Sequence, residues 1–341
     1  MWQVIGQTKT VVLLDRALKS RSLAHAYLFV GPSHVGKMTL ALELARALNC
    51  TAKEPPCGKC LACKKVANHP DVQVIGLGQP SDESKSRAEI GIEQIRQMQH
   101  SASLPPFEGK YKVFIIDGAE ALSMEAANCL LKTLEEPAGH VVFILLVTND
   151  SLLLPTVISR CQRLELRPLP AGEIEKALGE RGVEAERARL LSRLAHGGIG
   201  WALSASPGDS ILDEHAEKVD KILEIMDGDS EERFAYAAQM ATRFGQDRGA
   251  VYETLGLWVE LWHDLLLAGI GCPETIVNVD RTAALVEMAK RYPLPRIKRF
   301  IDSILAAGAE LKLNANPRLV LEVLMLDMPV KEIGEASLAR E

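Results

Sequence analysis

Apolar residues along this chain fall into two alternating patterns. The run AYLFV (residues 26–30) is apolar at every position and predicts a buried strand. VQVIG (72–76), YKVFIID (111–117) and HVVFILLVTN (140–149) have the same character, and a further strand is expected just after Arg160. Between these runs the period lengthens. Leu40, Leu44 and Leu48 recur on one helical face, and IGIEQIRQMQHSAS (90–103) and SMEAANCLLKTLEE (123–136) also read as helices. Pro137 marks the end of the last of these. Strands that do not alternate, each followed by a helix, predict a parallel sheet covered on both faces, an α/β class of fold. The polar stretch LGQPSDESKSRAE (77–89) is expected to be a mobile loop.

Beyond RPLP (167–170) only helical periodicity remains. The expected division is an α/β domain over 1–166 and a small helical unit over 167–208, with SASPGDS (204–210) as punctuation. A second all-helical domain over 209–330 and a frayed tail over 331–341 follow. The late segment LGLWVELWHDLLLAGIG (255–271) is strongly apolar but is broken by Glu260, His263 and Asp264. A membrane span needs roughly 18 or more uninterrupted apolar residues, so a buried helix is expected instead.

Composition narrows the partners. A chain of 341 residues, 47% hydrophobic, has material for two or three domains. Its net charge of −6 argues against a free-standing nucleic-acid binder. The first residues lack the basic start and apolar run of a secretory signal, so a cytoplasmic location is expected. Its seven cysteines are then thiols or metal ligands, not disulfides.

GPSHVGKMT (31–39) follows the first strand and opens the first long helix, the setting of a phosphate-binding loop. Gly31, Gly36 and Lys37 match G-x-x-x-x-G-K-[ST], but Met38 replaces the hydroxyl that ligates magnesium. A thioether is a poor ligand for a hard cation. Thr39 carries a hydroxyl one helical position on, about 100° round the axis. A glycine-rich turn with no ligand is the alternative reading. Asp117 ends the third strand, where an NTPase keeps a magnesium-linked carboxylate. The next position, often a Glu that activates water, is Gly118; Glu120 is expected to turn away. Two changes in the same direction predict weak ATP or ADP binding with hydrolysis lost.

Cys50, Cys57, Cys60 and Cys63 lie in C-x6-C-x2-C-x2-C spacing within a module over about 50–66. Four thiolates so close suit tetrahedral zinc, and four protein ligands leave no open position, so the site is structural. Four unrelated buried cysteines are the alternative. Cys129, Cys161 and Cys272 are scattered and read as packing residues. In TVISRCQRLEL (156–166), Arg160 follows a short helical segment begun by Pro155 and precedes a strand. It is either a surface salt-bridge residue or an arginine finger reaching a neighbour's phosphate.

Together, HAYLFVGPSHVGK, the cysteine module placed directly after the loop helix, LLKTLEEP, ISRC after VTNDSLLLPTVI, and LKLNANPRLVLEVLML resemble the clamp-loader subunits of bacterial DNA polymerase III, in the AAA+ group. The resemblance runs in order over nearly the whole chain. It implies an AAA+ P-loop domain with an inserted zinc module, a helical lid and an all-α collar that holds a five-subunit ring together. Motor subunits of that group, gamma/tau, carry GK-[ST] and an Asp-Glu pair. This chain resembles the member in which that chemistry is weakened while Ser-Arg-Cys is kept; an ATP-hydrolysing gamma/tau-like subunit is the alternative. The resemblance makes Arg160 the finger in trans and places Thr148 and Asn149 at the sensor position. It puts Trp201 where a lid arginine is expected. It also implies gamma/tau and delta partners, a sliding clamp, and primer–template DNA held by the assembly. A zinc module that reads DNA directly is a further alternative, weighed on Lys53, Lys59, Lys64 and Lys65.

Overall fold

A computed structural model describes residues 2–77 and 89–329. The expected loop over 77–89, apart from its two end residues, and the tail over 331–341 lie outside the described residues.

The first half runs α1 (Thr8–Ser20), β1 (Ala26–Val30), α2 (Lys37–Leu48), α3 (Leu61–Lys64), β2 (Val72–Ile75), α4 (Ile92–Ser103), β3 (Lys112–Asp117), α5 (Met124–Glu135), β4 (Val141–Val147), α6 (Pro155–Ile158) and β5 (Gln162–Glu165). The five strands form one sheet in the order β2-β3-β4-β1-β5, and every pairing is parallel. The apolar runs are buried on both faces because alternate residues feed two different cores. Tyr27 and Phe29 pack with Leu40, Leu44 and Leu48 of α2. Ala26, Leu28 and Val30 pack with Ile95 and Met98 of α4 and Leu130 and Leu134 of α5. Each such large side chain contributes about 1.5–3 kcal/mol on burial. Ser123 caps α5, its hydroxyl accepting from the Ala126 N–H at 3.2 Å.

Two buried polar side chains fix the N-terminal end of the sheet. The Asp71 carboxylate accepts from the N–H groups of Phe107, Glu108 and Gly109 at 2.6, 2.8 and 2.7 Å. Asn49 Oδ1 accepts from Lys110 and Tyr111 N–H, each at 2.9 Å, and its Nδ2 donates to the Tyr111 carbonyl. The loop entering β3 is therefore held by the side chains just before β2 and just after α2, although it has no regular structure.

The helical half contains α7 (Ala171–Gly179), α8 (Ala185–Leu194), α9 (Ile199–Ala205), α10 (Ser210–Asp227), α11 (Ser230–Gln246), α12 (Arg248–Gly269), α13 (Thr282–Ala289), α14 (Leu294–Lys312) and α15 (Pro317–Asp327). Contacts gather the chain into two compact units, residues 1–183 with 195–204, and 184–194 with 205–341. The second has its own core, centred on Trp258 and Trp262 of α12 and Phe300 of α14. The Trp262 and Phe300 rings meet edge to face, 4.7 Å between centroids. The charged break in the apolar segment proves structural. Asp264 is fully buried and accepts from the Val277 and Asn278 N–H groups, both at 2.9 Å. Among the described residues, no helix is long and apolar enough to cross a membrane.

Candidate nucleotide site, cysteine cluster and exposed arginine

β1 delivers the chain into the loop at Gly31, whose N–H bonds the Val147 carbonyl of β4 at 3.1 Å. A Cβ at Gly31 would lie 2.3 Å from the Leu166 carbonyl oxygen, so only glycine fits. Gly36 opens α2 at φ +100°, the left-handed region that glycine tolerates. Between them the backbone wraps a cavity of about 390 Å³ lined by Gly36, Lys37, Met38, Thr39, Asp117 and Thr148, among others. The structure thus brings the loop and the strand-end carboxylate together. Met38 and Thr39 both line the cavity. Asn149 is used differently: its Oδ1 caps the next turn, accepting from the Ser151 N–H at 3.0 Å.

Lys37 is folded back onto its own loop. Its ammonium donates to the carbonyls of Gly31 at 2.6 Å and Pro32 at 2.7 Å. Burial pushes this amine below the ordinary lysine range, against the opposing pull of Glu120 and Asp117. The loop also touches α9: the Gly200 N–H bonds the His34 carbonyl at 2.8 Å. Trp201 follows directly in α9, with no arginine at that place.

Glu120 departs from expectation. It does not turn away; it lines the cavity. Gly118 adopts φ +71°, and the short turn Ala119–Ala121 that follows swings Glu120 toward the end of β4. There Glu120 Oε1 accepts from the Thr148 N–H at 2.9 Å and from its hydroxyl at 2.6 Å. The other carboxylate oxygen is buried and has no hydrogen-bond partner. The sequence signal for this turn was Gly118 itself, read only as a missing glutamate.

The four cysteine sulfurs lie within 4.8 Å of one another. Cys57 Sγ and Cys63 Sγ are 3.9 Å apart, close to the ~3.8 Å that tetrahedral geometry with ~2.3 Å zinc–sulfur bonds requires. The Lys59 and Cys60 N–H groups both point at Cys57 Sγ from 3.4 Å. A hydrogen bond from the Thr51 backbone brings the Cys60 thiol down to about 6, whereas burial pushes Cys63 up to about 12. The donor set and spacing fit a metal ion. The module is fastened to the loop entering β3, for Lys110 Nζ donates to the Cys50 carbonyl at 3.3 Å. Cys161, outside the cluster, is pushed up to about 12 by burial and is an inert packing thiol.

Arg160 stands at the end of α6 on the surface. Its guanidinium donates to the Thr156 carbonyl at 2.9 Å and pairs with Glu135 of α5. The Arg160 side chain is 33% exposed and that of Glu135 50%, so the pair is worth only about 0–1 kcal/mol. Sequence reasoning did not find Glu135 as the partner, because the pair joins residues 25 positions apart.

A family model described as "DNA polymerase III, delta subunit" matches residues 6–170. DNA polymerase III subunit delta' of Bacillus subtilis is 30% identical over 323 residues, covering 94% of this chain and 95% of its own length. The chain belongs to the delta'-type subunits of DNA polymerase III. DNA polymerase III subunit tau of the same organism is 29% identical, but only 60% of its length is covered. For tau of Escherichia coli the values are 29% and 52%. The chain therefore spans the delta' relative almost end to end and little more than half of either tau. A gamma-subunit-related protein of Thermotoga maritima aligns over 92% of this chain at 18% identity and a TM-score of 0.41, too slight a likeness to build on. The five-stranded parallel sheet, the inserted four-cysteine module and the helices that follow agree with the expected α/β class and its helical continuation.

Proposed function

We propose that this chain is the delta'-type subunit of a cytoplasmic replicative clamp loader. It assembles with gamma/tau and delta subunits into a five-membered ring that places a sliding clamp on primer–template DNA. Its own contribution to ATP hydrolysis is Arg160, acting in trans on the site of a neighbouring motor subunit. The observation that carries this reading is the contrast between its two faces of nucleotide chemistry. The chain's own pocket keeps Gly31, Gly36, Lys37 and Asp117 but lacks the metal-ligating hydroxyl at Met38 and the second carboxylate at Gly118. The arginine, by contrast, sits at the surface just past a short helix, with a third of its side chain exposed.

The chemistry asked of Arg160 is electrostatic. A guanidinium aimed at a phosphoryl group under attack stabilises the charge that develops on its oxygens. Its weak surface bond to Glu135 lets it exchange partners at small cost. Own-site nucleotide binding, as ATP or ADP without turnover, remains part of the proposal, with Lys37 contacting phosphate. Asp117 and Asn149 belong to that degenerate site by position, Asn149 with its side chain turned to capping.

We read the metal of the cysteine cluster as Zn2+. Bound there it cross-links Cys50, Cys57, Cys60 and Cys63 and supplies folding stability rather than catalysis, because all four positions are filled. The acidic chain is not expected to bind DNA tightly by itself. Phosphates are held by helix N-termini and basic groups summed over the ring. Two assays test the proposal together: ATP turnover by the purified chain, expected to be negligible, and DNA-stimulated turnover by the reconstituted ring, expected to require this chain. A purified chain that hydrolyses ATP in a Lys37-dependent way would favour a motor subunit.

A further inference from the structure

Glu120 has no part in the reading above, yet it is the most unusual group in the pocket. One of its oxygens takes both the N–H and the hydroxyl of Thr148. The other is buried with no partner. Glu120 lines the same cavity as Lys37, Asp117 and the start of α2, so two carboxylates share one small space with a single lysine. Lys37 meanwhile spends its ammonium on the carbonyls of Gly31 and Pro32. A polyphosphate entering this cavity must draw Lys37 off two carbonyls. It must also bring its negative charge up to an unneutralised carboxylate oxygen.

We propose that Glu120 sets the anion affinity of this pocket: latched to Thr148 beside Lys37, its carboxylate holds the sensor position in place and repels phosphate. Thr148 is consequently not available to report on a ligand, since both of its donors are already used. The latch exists because of Gly118, whose positive φ turns the chain back toward β4. The loss of the Asp-Glu pair and the gain of a repelling carboxylate are thus one backbone feature. This inference rests on the reading of the loop as a phosphate site that has lost its hydrolytic parts.

The test uses the full-length chain and isothermal titration with ADP and with inorganic pyrophosphate, first in EDTA and then with Mg2+. Removing one negative charge beside a bound phosphate is expected to tighten binding about ten-fold or more. Glu120→Gln, whose amide oxygen still accepts from Thr148, should show that gain in EDTA, and the gain should shrink as salt rises. Glu120→Ala should show it too, which guards against one variant failing to fold. Thr148→Val removes the hydroxyl half of the latch, keeps the backbone N–H bond and the charge, and should show none. Lys37→Ala placed on Glu120→Gln should abolish the gain. Equal or weaker binding by both Glu120 variants, including none at all, overturns the proposal. So does a gain that survives Lys37→Ala, or a loss of binding confined to Mg2+, which would make Glu120 a metal-holding group. A wild-type chain that turns over Mg·ATP would overturn the degenerate-site reading itself, a result separate from the behaviour of the variants.

Discussion

At the scale of single residues, three glycines carry more of the site's shape than any charged group. Gly31 lets the chain leaving β5 at Leu166 pass against the loop, Gly36 opens α2 in the left-handed region, and Gly118 turns the chain back after Asp117. Gly118 makes restoration of catalysis harder than the sequence implies. Gly118→Glu rewrites the Asp-Glu pair but puts a side chain at φ +71°, a conformation that costs about 1–2 kcal/mol for an L-residue. We expect this variant to melt earlier and still to release no phosphate from ATP, because Met38 offers no hydroxyl. Measurable turnover by Gly118→Glu alone would show that the missing glutamate was the sole defect. The changes at Met38 and Gly118 were plain from the sequence because they are departures in residue type. The position of Glu120 was not, since it depends on one backbone torsion.

At the scale of elements, the cysteine module and the loop entering β3 behave as a fastened pair. If the cluster holds zinc, removing it with a strong chelator lowers the melting temperature, and Cys60→Ser reproduces much of the loss without chelator. Protein purified under metal-free handling that contains no zinc, and melts identically with and without chelator, would rule that out. Asp71 gives an independent test of the loop. Burial alone would raise its carboxyl, but the N–H groups of Phe107, Gly109 and Glu108 outweigh burial and hold it below the ordinary value of 3.8. A depressed folded-state value means that its contribution is complete above the unfolded pKa and is lost as pH falls through the folded one. The wild type should therefore weaken below about pH 4. Asp71→Asn should cost about 1–3 kcal/mol at neutral pH, by leaving buried N–H groups poorly paired, and should flatten the acid limb of the stability curve. Equal urea midpoints for the two proteins at pH 7 would contradict this. The strands and long helices were legible because burial on two faces writes unbroken apolar runs. The Asp71 and Asn49 anchors were not, because each joins residues 36 to 62 positions apart and leaves no local pattern.

At the scale of the whole molecule, the order of motifs along the chain carried the identification further than any single motif did. A phosphate loop with one wrong residue is ambiguous. Followed by four clustered cysteines, a strand-end motif altered at Gly118 and Ser-Arg-Cys, it fits the role proposed above, in which the chain completes a neighbour's chemistry. The apolar segment around Trp258 and Trp262 is a buried helix, as its pattern implies, whereas the Asp264 that interrupts it pairs with the Val277–Asn278 backbone, a contact with no signature in the local sequence. The central claim is that Arg160 works on another subunit's nucleotide, and reconstitution tests it most directly. Wild-type chain and Arg160→Ala are each assembled with gamma/tau and delta subunits, and ATP turnover is measured with sliding clamp and primed DNA present. The account predicts that the variant ring assembles normally, by size-exclusion chromatography, and loses a large part of its DNA-stimulated turnover, since an arginine finger contributes about 10³–10⁵ at the one site it serves. An intact ring with full turnover would contradict it.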